Sequence, residues 1–498
     1  MFKKKISIFL VLVLAAAIFI SCAPEADDGG GVQGDRDLQI ADNGGDNTAD
    51  AEAAAQLALI TPDLPDITFN GYEFSVLNVE ADAMAWLKMQ LDSEGETGDI
   101  FNDAVYRRNR IIEERYDITI RETLVSDRGH VRTQAQRNIR GGEDAFDLYM
   151  LEAGDIFTMA QDGALVDYHN IDYIDLSRIY WDQDMKRDFS INNRQFIMSG
   201  DFTFSNYSGT IVMFFNKALH ADLGLDNPYN LVKEGAWTFD AFHGMAKSAV
   251  RDLDGNGIFD KNDQYGYMSL DFLINPVFMI GGGERFMMKD SDDRPFHVIG
   301  GDRWVSVYHK MLDIMHDGNL LYDANASGRD HRDQDVMFPN NQALFWTELM
   351  NWAGILRGME NDFGILPHPK FDEVQPNYHS ISGGQYMGIP VTTADLYRTG
   401  IILEALCAES RRMVRPVYYD VVLQTITARD EESGEMLDII FANRVYELGM
   451  DFFNASIMNP FNDHVSRNNR DVAAFVERQE GRIEIAIERV MERFDEID

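Results

Sequence analysis

At 498 residues the chain is too long for one hydrophobic core, and its 45% hydrophobic content, with 31 Phe and 19 Tyr, is ample for packing two lobes or domains. A formal charge of −39 makes a surface that repels phosphate backbones and anionic head groups, which sets nucleic-acid binding aside. The excess acid reads as a solubilising surface rather than as a site for one particular cation.

Lys3, Lys4 and Lys5 precede an apolar run over residues 8–20, which ends at Ser21-Cys22. A charged start, an apolar stretch and a small residue directly before a cysteine resemble a bacterial lipoprotein signal over residues 1–21. Cleavage there leaves Cys22 as the lipidated first residue, on the extracellular face of the cell membrane. The run falls short of the ~20 apolar residues that a spanning helix needs. Phe19 departs from the usual pattern, in which Leu stands three residues before the cysteine. With Cys22 carrying lipid, Cys407 is the one remaining cysteine, so no intrachain disulfide is expected. Cys407 lies in an apolar segment, residues 400–407, that reads as a buried helix with a packed, unreactive thiol. Residues 22–65 are rich in Gly, Asp, Asn and Ala and read as a flexible acidic linker with a reach on the order of 35 Å.

Further along, residues 72–78 alternate as a strand. A helix is expected from about Phe101 to Tyr116, with Asn102 as N-cap and Val105, Ile112 and Tyr116 at helical spacing. Residues 117–121 read as a second strand, 131–139 as a helix and 145–151 as a buried strand. Strand, helix, strand, helix, strand is a three-layer α/β signature. Residues 210–215 form a strongly apolar strand suited to crossing between lobes. Thr238 then starts a helix with Phe239, Phe242, Met245, Ala246 and Ala249 on one face. The chain closes with a charged amphipathic helix whose apolar side carries Ile483, Ile487, Val490 and Phe494.

The sharpest local constellation is residues 252–263. Asp252, Asp254, Asn256, Asp260 and Asp263 supply oxygen side chains at loop positions 1, 3, 5, 9 and 12, Gly257 stands at 6, and Ile258 offers its carbonyl at 7. That is the spacing of a twelve-residue Ca²⁺ loop, with Asp263 where a bidentate Glu is usual. Any bound Ca²⁺ would be structural, because the loop is expected outside the ligand cleft. Catalytic motifs are missing: there is no Gly-x-Ser-x-Gly, no His-Glu-x-x-His, no phosphate-binding Gly-Lys-Ser/Thr loop and no Cys-x-x-Cys. Gly281-Gly282-Gly283 reads as a turn.

Several short segments, taken in order, carry a family resemblance. They are Phe101-Asn102-Asp103-Ala104-Val105-Tyr106, Gly163-Ala164-Leu165-Val166-Asp167, Phe215-Asn216-Lys217, Gly235-Ala236-Trp237-Thr238-Phe239, Asp263-Gln264-Tyr265-Gly266-Tyr267, Asn341-Gln342-Ala343-Leu344-Phe345 and Phe363-Gly364-Ile365-Leu366-Pro367. From about residue 70 to the end the chain resembles the extracellular solute-binding proteins of family 1, the carbohydrate-type receptors of ABC importers. The resemblance implies an α/β, two-lobed, periplasmic-binding-protein-like fold of type II. Each lobe would be a sheet flanked by helices, the two joined by hinge strands. It suits an N-terminal lobe of 66–205 plus about 375–440 and a C-terminal lobe of 206–374 plus about 441–498, with crossings near 205–213 and 370–382. It also implies a non-enzymatic, monomeric receptor whose partners are a sugar or oligosaccharide and an importer permease.

Ligands meet α/β sheets at the carboxyl ends of strands. That rule nominates Trp86, Glu152 and Asp155 after the early strands, Asp201 and Tyr207 near the first crossing, and Asp271, Trp346 and Glu348 from the second lobe. Gln385 and Tyr386 join them at the later return. Aromatic faces that cover sugar C–H patches and planar polar groups that bond hydroxyls suit a carbohydrate. Trp181, Trp237, Trp304 and Trp352 are assigned to packing, and His309 and His316 to the surface or core. Two alternatives stand beside this reading, a peptide-binding receptor and a secreted glycan-processing enzyme.

Overall fold

A computed structural model describes residues 57–80, 91–326, 328–427 and 431–497, with the side chains of 420–427 excepted. The leader, Cys22, most of the linker and Trp86 lie outside the described residues.

The first sheet contains β1 (Tyr72–Val79), β2 (Ile118–Val125), β3 (Leu148–Glu152) and, from much later in the chain, β12 (Gln385–Gly388), in the order β12-β3-β1-β2. β1 runs parallel to both β2 and β3, whereas β12 is antiparallel to β3 and sets Gln385 opposite Glu152. The first helix is Ile100–Tyr116, and its N-cap is Asp99, not Asn102. The Asp99 carboxylate accepts from the amides of Phe101 and Asn102 at 3.0 and 2.9 Å, while the Asn102 side chain is held by Ser93 and Gly95. Asp117 closes that helix in the left-handed region at φ 48°, so β2 starts one residue later than the alternation suggests.

The second sheet has the order β10-β4-β9-β5-β8, built from β4 (Ile211–Asn216), β5 (Tyr265–Ser269), β8 (Leu321–Asp323), β9 (Ala343–Leu349) and β10 (Phe363–Leu366). β5 is parallel to β8 and β9, and β4 is antiparallel to β9 and β10. All six residues of β4 are buried, as its unbroken apolar run requires of a strand covered on both faces. Thr238 caps the helix Phe239–Ser248, with Phe239, Phe242, Met245 and Ala246 buried. A small hairpin pairs β6 (Met287–Lys289) with β7 (Pro295–His297), and β11 (Ser380–Ile381) pairs with β13 (Arg444–Val445).

The helix Leu396–Thr427, 32 residues and roughly 48 Å long, lies beside Ile100–Tyr116, where Ser410 accepts from Arg108 at 3.1 Å. Cys407 is buried within it, and burial raises its thiol pKa well above the ordinary value. The helix Glu431–Ala442, expected with the first lobe, packs on the second: Ser433 accepts from the Ile365 amide of β10 at 2.9 Å. The closing helix Val472–Glu496 buries Ile483, Ile487, Val490 and Phe494. It touches both lobes rather than one. Val476 meets Gly300, and Phe494 stacks edge-on against Phe196 at 4.8 Å.

Candidate functional site

The passages between the two sheets run side by side. Thr210 bridges to Ser382, the Gly383 amide donates to the Gly209 carbonyl at 3.1 Å, and the Ser380 and Ser382 amides donate to Asn443 and Val445 at 3.2 and 3.0 Å. Beneath them lies a buried ion pair, Arg444 Nη2 to Asp182 Oδ2 at 3.0 Å. Tyr446 also donates to that carboxylate at 2.8 Å, and the Arg444 guanidinium sits 4.7 Å over the Tyr207 ring. Burial by itself would raise the Asp182 pKa, but Arg444, Asn206, the Met185 amide and Tyr446 outweigh it and hold the carboxyl below its usual range. The desolvation cost of an ion pair so enclosed offsets much of its Coulombic gain, whereas removing one partner would leave the other charge buried and uncompensated.

The carboxyl ends of the parallel strands face this seam. From the first sheet come Asn78, which donates to Glu122 at 2.6 Å and accepts from Gln385 at 3.0 Å, and Glu152, which pairs with Arg128 at 2.7 Å. Burial raises Glu152 above its ordinary pKa against the pull of Arg128, and takes Glu122 to about 7. Asp155 pairs with Arg132 at 2.9 Å. From the second sheet, Asp271 accepts from Asn325 at 2.8 Å, and Glu348 accepts from Gln334 at 3.2 Å. Burial pushes Glu348 to about 7. Amides and carboxyls dominate both edges, the groups that pair with hydroxyl-rich molecules.

Three groupings of the nominated residues emerge. Glu152 and Gln385 are register partners across β3 and β12. Asp201 and Tyr207 meet through Arg415, which lies 3.6 Å from the carboxylate and donates to the phenol at 3.2 Å, while Arg411 pairs with Asp201 at 3.0 Å. Trp346 and Glu348 meet through the Gln334 amide. Three aromatic nominations change character, the first being Tyr207, which is buried with Arg444 over its ring and Phe441 edge-on to it at 5.1 Å. Trp346 is wholly buried, packed against Phe214 and Phe338, because β9 is flanked by β4 and β5 and covered on both faces. Tyr386 is equally buried among Phe157, Phe189 and Tyr446. Neither ring has a face open to a ligand in this conformation. Asn78, which ends the first expected strand, falls under the carboxyl-end rule although it is not among the nominated residues. Gln334 and Arg415 carry no local signal, since only the fold brings them to the seam. A groove of about 560 Å³ beside Ile299, Val305, Val472 and Val476 contains none of these residues.

In the acidic loop the carboxylate oxygens of Asp252, Asp254 and Asp263 lie within 4.8 Å of one another. Two oxygens on one Ca²⁺, each at about 2.4 Å, can be no farther apart than ~4.8 Å, so the three carboxylates are close enough together to share one ion. Gly257, at φ 76°, makes the turn, and its amide donates to Asp252 at 2.8 Å. Asp260 stands outside this carboxylate group; its side chain instead accepts from the Asn262 amide at 2.8 Å. Asn256 is turned to the Ile258 amide at 2.6 Å. The loop ends at the amino end of β5, on the opposite edge of the sheet from the seam.

The family of bacterial extracellular solute-binding proteins matches residues 92–397. Among solved structures, the chain is similar to an ABC substrate-binding protein from Listeria monocytogenes in complex with cycloalternan, with TM-score 0.56, 14% identity and coverage of 83% of this chain and 99% of that one. It is likewise similar to a cyclic alpha-maltosyl-1,6-maltose binding protein from Arthrobacter globiformis, at TM-score 0.55, 13% identity and 86% and 99% coverage. UgpB from Mycobacterium tuberculosis, in complex with glycerophosphocholine, gives TM-score 0.54, 14% identity and 85% and 100% coverage. At these identities the likeness is one of fold: two α/β lobes. No curated protein matches the chain.

Proposed function

Because this chain belongs to the family of bacterial extracellular solute-binding proteins, we propose that it is a lipid-anchored receptor that captures a sugar or oligosaccharide and delivers it to the permease of an ABC importer. The observation that carries the reading is the convergence of both sheets' carboxyl edges, rich in amides and carboxyls, on hydrogen-bonded crossings. Ligand enters between the lobes, and its higher affinity for the closed arrangement draws them together. Binding is non-covalent and leaves the ligand unchanged, and the receptor works as a monomer.

Anchoring rests on Ser21-Cys22 after the short apolar run; no helix among the described residues is long and apolar enough to cross a membrane. Ca²⁺ in the loop 252–263, held by Asp252, Asp254 and Asp263, braces the start of β5 and takes no part in binding.

Calorimetric titration with a panel of neutral oligosaccharides tests the central claim. Saturable binding with the glycan recovered intact supports it. Release of reducing ends would identify a glycan-processing enzyme instead, and tight binding of peptides with no response to any glycan would identify a peptide receptor.

A further inference from the structure

Both amide atoms of Asn351, Nδ2 and Oδ1, are buried with no hydrogen-bond partner. An amide stripped of water and left unpaired is unfavourable, so such a group in a folded protein calls for a physical reason. Its position supplies one. Asn351 is the second residue after β9, at the carboxyl end of that strand, in the short helical stretch Met350–Gly358. The preceding amide, that of Met350, donates to the carbonyl of Thr210 at 2.8 Å, and Thr210 is itself bridged to Ser382 in the crossing segments. The backbone that carries Asn351 is therefore held beside the hinge, on the edge of the second sheet that faces the first. Its immediate neighbours are engaged elsewhere: Trp352 donates to Asp335 at 3.0 Å, and Glu348 is occupied by Gln334 and the Leu349 amide.

We infer that Asn351 is a ligand-contacting, specificity-determining residue whose amide hydrogen-bonds a vicinal pair of sugar hydroxyls at the hinge end of the cleft, an inference that rests on the carbohydrate reading above. A primary amide presents an acceptor and two donors in one plane, and adjacent hydroxyls on a pyranose ring offer a donor and an acceptor at matching separation. Carrying the unpaired amide in the free protein weakens the fold slightly and lets a correct ligand recover that loss on binding. A ligand lacking one of the two hydroxyls leaves the amide unpaired and is rejected.

The test uses the full chain, its Asn351→Leu and Asn351→Ser variants, and a panel of maltotriose, cellotriose, xylotriose and mannotriose. Thermal unfolding without glycan should find Asn351→Leu at least as stable as the parent, because an apolar group of similar shape replaces an amide with no protein partner. Calorimetry should find that both variants bind the glycan recognised by the parent about tenfold or more weakly. A lower melting temperature in both variants, or an affinity unchanged in either, overturns the inference while leaving the carbohydrate reading intact. If the parent binds no member of the panel, the carbohydrate reading falls and the inference falls with it.

Discussion

Gly209 and Gly383 meet backbone to backbone where the chain passes between the lobes. The Gly383 amide donates to the Gly209 carbonyl at 3.1 Å, and a Cβ placed on Gly209 would stand 2.2 Å from the Gly383 carbonyl oxygen. The close approach depends on glycine for space, not for an unusual φ. Gly209→Ala should separate the crossings and cost about 1–3 kcal/mol of stability, because the obstructing atom is backbone and cannot turn aside. Chemical denaturation measures the loss. A variant as stable as the parent would mean that the crossings part without penalty.

Buried carboxyls set the dependence of stability on pH. Burial raises Glu447 from 4.5 to about 7, against the opposing effect of Arg285, and burial likewise takes Glu404, Glu348 and Glu122 to about 7. The folded protein thus keeps protons that the unfolded chain releases between roughly pH 4.5 and 7, so this stability is full below that window and lost as pH rises through it. Asp182 has the opposite sign, but its contribution disappears only on acidification below the usual carboxylate range; His368 and His379, pushed down by burial to about 3 and about 4, oppose the carboxyls below about pH 6.5 but are outnumbered by them. Melting temperature should therefore be higher near about pH 5.5 than near about pH 8, and Glu447→Gln should flatten the slope. A profile that rises with pH across the window would contradict the assignment.

Bound Ca²⁺ should stabilise the folded state by ~2.7 kcal/mol when present at about 100 times its Kd. Chelator should remove that increment from the parent chain. Asp254→Ala should lose it outright, since Asp254 is one of the three convergent carboxylates. A melting temperature indifferent to Ca²⁺, chelator and the substitution would leave the loop as an acidic turn.

Membrane attachment should depend on Cys22. Cys22→Ala should release the protein from the membrane fraction or leave its leader uncleaved. Mass spectrometry of the mature N-terminus reads the outcome directly, and an unlipidated Cys22 in a normally exporting cell would refute the anchor.

Local chemistry made the element order legible from the chain alone. The alternation at 72–78, the Thr238 cap and the Ile483 to Phe494 face each depend on residues within a turn or two of one another, and the strand β1 and the helices Phe239–Ser248 and Val472–Glu496 appear there. The acidic loop is equally local, because its oxygens converge through one short turn. The family, too, could be recognised from short ordered segments. What the tertiary structure alone decided is which side chains meet. Asp182 finds Arg444, Glu348 finds Gln334, and Trp346 passes from an expected ligand platform to the core, because strand neighbours far away in the chain determine which faces are covered. Whether a polar group is paired or left alone, as at Asn351, depends on those same distant neighbours. No local spacing encodes it, since desolvation is a property of everything that packs around an atom.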